Sequence, residues 1–150
     1  MSHTLRSGGT SPQAITAVDL NKDNFPDLVV INSQATSQAG VVATFLNDGA
    51  GNFDGAPVIH RRGREKPRDV CAGDFDNDGN MDIAVASLGT NDILILRGDG
   101  QGNWKRDERV YPVGQFPRTI FCYDVDGDNK TDVLFGRMNA GDVDLIKTGP

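Results

Sequence analysis

Three short stretches of this sequence place oxygen side chains at the same four positions. They are Asp19, Asn21, Asp23 and Asp27; Asp74, Asp76, Asp78 and Asp82; and Asp124, Asp126, Asp128 and Asp132, at positions 1, 3, 5 and 9 of each stretch. Alternation around a tight turn brings side chains 1, 3 and 5 inward together. A hard divalent cation takes about six to eight oxygens at 2.3–2.6 Å, which carboxylates and one backbone carbonyl can supply. That carbonyl falls at position 7, on Phe25, Asn80 or Lys130, where side-chain type should not matter. The expected cofactor is calcium, up to three ions per chain. Magnesium suits the pattern less, because it demands a rigid octahedron and keeps its waters.

An EF-hand opens in the same way, but it needs a bidentate Glu at position 12 and a helix afterward. Position 12 here is Val30, Val85 or Phe135, inside apolar runs. Closing the site is therefore expected of the ninth-position Asp. Eleven of the chain's 21 acidic residues lie in these stretches. Carboxylates so close repel one another, and three such turns call for a counter-charge. Three divalent cations would cancel the formal net charge of −6. The first stretch, with Asn21 and with Asn24-Phe25-Pro26 where the second has Gly79-Asn80-Met81, is expected to bind more weakly.

The elements that position these stretches repeat with them. Pro12, Pro67 and Pro117 each lie seven residues before the first aspartate. Asp19 to Asp74 is 55 residues and Asp74 to Asp124 is 50, close to the roughly 40–50 residues of a propeller blade. Each copy reads as short strands. One precedes the loop, with Ile15, Val70 and Ile120 equivalent. A second follows it, from Asp27, Asp82 and Asp132. A third covers Val41 to Leu46, Ile93 to Leu96 or Val143 to Ile146. Asp48-Gly49 and Asp99-Gly100 then mark hairpins into fourth strands at Val58-Ile59-His60 and Val110-Tyr111. The expected fold is all-β: three four-stranded propeller blades in a single unit over residues 1–150, with repeats at about 12–66, 67–116 and 117–150 and an N-terminal strand over 2–9.

In these loops and hairpins, above all Ala72 to Ala86 followed by Asp99 to Trp104, the chain resembles the FG-GAP/VCBS-type repeats of integrin α-subunit propellers and many secreted microbial proteins. The resemblance implies calcium in the loops, blades around a central axis, and a role in adhesion or carbohydrate binding. Some relatives are lectins that bind sugars between neighbouring blades. One departure stands out: the third copy stops at Lys147-Thr148-Gly149-Pro150, before its hairpin and fourth strand. At the other end, His3-Thr4-Leu5-Arg6 with Gly9 and Pro12 parallels Arg109-Val110-Tyr111 with Gly114 and Pro117. A permuted chain is expected, two copies forming a six-bladed ring in which each N-terminal strand completes the partner's third blade. A segment of a longer propeller is the alternative.

Other features are weaker. Arg97-Gly98-Asp99 spells an adhesion tripeptide, but its last two residues are what the hairpin needs. His60, Arg61, Arg62, Arg64, Lys66 and Arg68 form a basic run, either a solvated loop or a place for an acidic sugar. Arg68, Arg118 and Trp104 are the candidate ligand-binding residues. Trp104 and Phe53 occupy equivalent positions, suited to sugar stacking or to packing between blades. Cys71 and Cys122 stand three and two residues before their loops, so they should face opposite sides of a blade, which argues against a disulfide. No nucleophile and base pair up, and His3 and His60 lie on outer strands, so no enzyme activity is expected. The acidic balance argues against nucleic acid, and no apolar run approaches the ~20 residues that cross a membrane. Met1 to Arg6 does not read as a signal peptide. The calcium loops suggest an extracellular or periplasmic setting. The leading function is a lectin-like or adhesive calcium-binding module; its rival is a structural scaffold without a ligand, and a hydrolase is a distant third.

Overall fold

The computed structural model describes residues 4–34, 39–61, 64–138 and 141–149. It contains only strands, arranged in three antiparallel sheets. The first sheet holds β1 (Ser11–Val18), β2 (Asp27–Ser33), β3 (Val41–Phe45) and β4 (Val58–His60). The second holds β5 (Pro67–Gly73), β6 (Asp82–Ser87), β7 (Asp92–Leu96) and β8 (Arg109–Pro112). The third holds β9 (Pro117–Tyr123), β10 (Asp132–Arg137) and β11 (Val143–Ile146). In each sheet the strands pair in chain order, the meander of a propeller blade.

The blades stack face to face, and strand alternation decides which side chains meet. Leu20, Val29, Ile31 and Val42 of the first blade pack against Val70, Ile83, Val85, Leu94 and Leu96 of the second. The alternate residues of the second blade, Phe75, Ala84, Ala86, Ile93 and Ile95, pack against Val133 and Phe135 of the third. Every residue of β6 and β7 is buried, because blades cover that sheet on both faces. Buried on both sides, these strands read as continuous apolar runs rather than alternating ones.

Two of the sequence expectations change here. Thr4 to Thr10 belong to no strand in this chain; Ser7 Oγ instead donates to Asn32 Oδ1 at 2.7 Å and Asn32 Nδ2 donates back to the Ser7 carbonyl at 3.1 Å. His3 and Arg62 lie outside the described residues. The second change is a correction: Cys71 and Cys122 form a disulfide, with Cα atoms 5.7 Å apart. They do sit on opposite faces of their own blades. They also sit on neighbouring blades, so the forward face of one looks at the rear face of the next. Opposite parity is therefore what brings their sulfurs together.

Candidate metal loops

Each acidic loop is shaped by its first aspartate. Asp19 accepts from the backbone amides of Lys22, Asp23 and Asn24 at 2.7–3.2 Å. Asp74 accepts from Asp78 and Gly79, and Asp124 from Gly127 and Asn129. Positions 4 and 6 are left-handed in all three loops: Lys22 and Asn24 at φ 65° and 69°, Asn77 and Gly79 at 58° and 78°, Gly127 and Asn129 at 78° and 66°. Asn and Gly adopt that region readily. Lys22 does not, so the first loop carries a small strain. Lys22→Gly is expected to raise stability by about 0.5 kcal/mol, since the relief of left-handed strain exceeds the added chain entropy; an unchanged or lower denaturant midpoint would count against it.

The turn gathers the carboxylates. Asp74, Asp76 and Asp78 present oxygens within 4.8 Å of one another, and so do Asp124, Asp126 and Asp128. In the second loop Asp76 Oδ1 is buried and has no hydrogen-bond partner among the described residues. A buried carboxylate oxygen left unpaired is costly, and in the middle of three converging carboxylates it is what a hard cation would satisfy. These residues fit a divalent cation.

The ninth-position aspartates play a part that the sequence did not reveal. Asp27, Asp82 and Asp132 are 0%, 0% and 1% exposed. Asp82 accepts from the Phe75 amide at 3.1 Å and the Gly98 amide at 2.8 Å, one on each oxygen. Asp27 holds the amides of Leu20 and Asn47, and Asp132 those of Val125 and Thr148. Each clasps the start of its loop to the end of the third strand, and each oxygen keeps a lone pair that could also face an ion. Burial pushes the Asp82 carboxyl up to about 6, helped by the charges of Asp76 and Asp78 and opposed by the two amides.

Basic side chains neutralise the outer carboxylates. Arg97 pairs with Asp76 and Asp107, Lys105 Nζ lies 2.5 Å from Asp78, and Lys147 Nζ lies 2.9 Å from Asp126. The hydrogen bond from Lys105 holds Asp78 at about 2, and that from Lys147 lowers Asp126. Arg97 and Lys147 occupy the same place, one residue past the third strand, and the first blade has Leu46 there. Cation and aspartate thus occur together in two blades, while neutral Leu46 accompanies neutral Asn21 in the other.

The remaining candidates separate. Phe25, Asn80 and Lys130 each donate their amide to the position-5 aspartate at 2.8–2.9 Å. Arg68 donates to Gln13 Oε1, and Arg118 to the sulfur of Met138, both at the start of their inner strands. Trp104 lies beyond the other end of β5, bridged to Gly98, and packs against the core between the first two blades. These three do not form one site. Phe53 packs likewise on the rear face of the first blade. Asp99 accepts from the Gln101 and Asn103 amides and Arg97 is held by carboxylates, so the Arg97-Gly98-Asp99 tripeptide is a turn, not a presented ligand. Of the basic run, Arg64 is bound to Asp92 and His60 lies beside Glu108.

Antiparallel blades, each with an acidic loop between its first and second strands, define a β-propeller segment. The sequence profile of the FG-GAP-like repeat matches residues 19–85 and 74–135, and the chain belongs to this family. It is 27% identical over 158 aligned positions to integrin alpha-4 of Xenopus laevis, a match covering 91% of this chain and 15% of the integrin. No solved structure matches it significantly.

Proposed function

We propose that the chain is a non-catalytic, calcium-stabilised propeller segment whose task is binding, as an adhesive or lectin-like module. The observation that carries this reading is the acidic loop repeated at every blade, with a buried unpartnered carboxylate oxygen in the second. Asp74, Asp76, Asp78 and their counterparts in the third blade would hold calcium, with Asp19, Asn21 and Asp23 a weaker set. The ion would supply positive charge that locks each loop; the ligand surface is a separate matter. The family, together with the integrin relative, favours a binding module over an enzyme. The inter-blade disulfide favours an oxidising, extracellular or periplasmic setting.

One observation supports self-association. On the forward face of the third blade Val143 is 76% exposed and Leu145 43%, whereas Ile93 and Ile95, at the same positions of the second blade, are 0% and 2%. Phe121 and Tyr123 stand beside them at 62% and 61%. Ile15, on the rear face of the first blade, is 60% exposed where its equivalent Val70 is 6%, while Val30, Ala43 and Phe45 on that face are already buried with Leu28, Phe53 and Ile59. The rear face of the first blade of a second copy matches the missing cover, and two copies would close a six-bladed ring. The segment ending at Ser7 enters the first blade where the outer strand of a preceding blade would lead.

Light-scattering mass and thermal melting, in calcium and in chelator, test both readings. Calcium is expected to raise the melting temperature, with each site adding about 2.7 kcal/mol at 100 times its dissociation constant. A mass near twice 16.1 kDa is expected. Calcium-indifferent melting would overturn the metal reading; a monomer at micromolar concentration would overturn the ring and assign the bare faces to further blades of a longer polypeptide.

A further inference from the structure

A groove of about 400 Å³ runs along the outer seam of the first two blades. One wall is the end of β4, Ile59 and His60, followed by Arg61; the other is the segment from Trp104 to Glu108 that leads into β8. Its charge runs against that of the molecule. In a chain of formal charge −6, the groove gathers the cations Arg61, Lys105 and Arg106 beside His60 and one acid, Glu108. Glu108 lies 3.3 Å from His60. Arg61 and Arg106 are exposed, and neither has an ion-pair partner among the described residues. Two guanidinium forks on facing walls suit an oxyanion, which they can bind through paired N–H donors.

The wall is also rigid and partly apolar. Trp104 is anchored in the core between the blades, while the Ile59 side chain turns to the rear face of the first blade. The volume lies within the ~300–1,000 Å³ of small-ligand sites.

We propose that this groove binds a sulfated or carboxylated saccharide, its oxyanion held between Arg61 and Arg106 and its ring lying against Trp104. The proposal rests on the reading of the chain as a binding module and adds a place and a ligand class. Lys105 is shared between the groove and the second acidic loop through its contact with Asp78, which places the binding surface beside a loop that fixes the blade's geometry.

Trp104 is the chain's one tryptophan, so its fluorescence reports on this groove. The titrants are a sulfated disaccharide, its neutral parent and inorganic sulfate, in calcium and again in chelator. A saturable change is expected with the sulfated disaccharide alone. The variant Arg61→Gln/Arg106→Gln, at two exposed positions and checked for wild-type melting, should weaken it at least about ten-fold, the scale of losing charge-assisted hydrogen bonds. No saturable change, an equal response to the neutral sugar, or undiminished binding by the variant would overturn the proposal. Equal affinity for inorganic sulfate would overturn the saccharide and leave a simple anion site. Calcium dependence of melting is read separately, so failure of the groove and failure of the metal loops cannot be confused.

Discussion

In chelator, Asp82→Ala is expected to lower the unfolding free energy by about 2–6 kcal/mol, the loss of the acceptor for two buried amides at ~1–3 kcal/mol each. The side chain is fully buried and sits at the crossing of three segments: the loop start at Phe75, the strand β6 it begins, and the turn at Gly98. Phe75 and Gly98 are themselves buried, so their amides lose the carboxylate without solvent to replace it. The comparison that isolates this effect is Asp82→Asn. Asn keeps one carbonyl acceptor and removes a charge that burial already disfavours, so its loss should be distinctly smaller. Urea unfolding of the two variants, without metal, checks the order. Equal losses would mean that the charge matters more than the clasp, and a negligible loss for alanine would remove the clasp altogether.

The same position shows why part of the site was legible in the sequence and part was not. The 1, 3, 5, 9 spacing located every loop, because the turn needs its oxygens at fixed steps regardless of surroundings. The strand runs after Asp27, Asp82 and Asp132 were equally plain, since each is the second strand of its sheet, paired on both edges and packed against a neighbouring blade. What spacing cannot convey is which partner an oxygen meets. The amides of Asn47, Gly98 and Thr148 reach the ninth aspartate from 16–20 residues away, across a sheet whose register only the fold supplies. The cations Arg97 and Lys147 did leave a signal. Aligning the third strands puts Leu46, Arg97 and Lys147 in one column and Asn21, Asp76 and Asp126 in another, and the charges change together.

The cysteines show the reverse case, in which parity was read from the sequence and its consequence drawn within one sheet instead of between two. Reduction of Cys71–Cys122, or the variant Cys71→Ala/Cys122→Ala, is expected to cost about 4 kcal/mol, the loop-closure entropy of a link spanning 51 residues. The bond joins the inner strands β5 and β9, beside the hydrogen bond from the Ile120 amide to Asp69 at 3.0 Å and the one from the Thr131 amide to the Asp74 carbonyl at 2.8 Å. Those ties hold a blade of three strands whose forward face is bare, so the third blade relies on its staple more than the second does. Loss should therefore be local first: amide exchange in β9 to β11 should accelerate before that in β6 and β7. Two controls make the result decisive. Thiol titration of the unfolded, unreduced protein should find no free thiol, and reductant should lower the melting temperature of the wild type but not of the double variant. Two titratable thiols would show that the bond does not form, and uniform exchange across all strands would show that the third blade is not the part it secures.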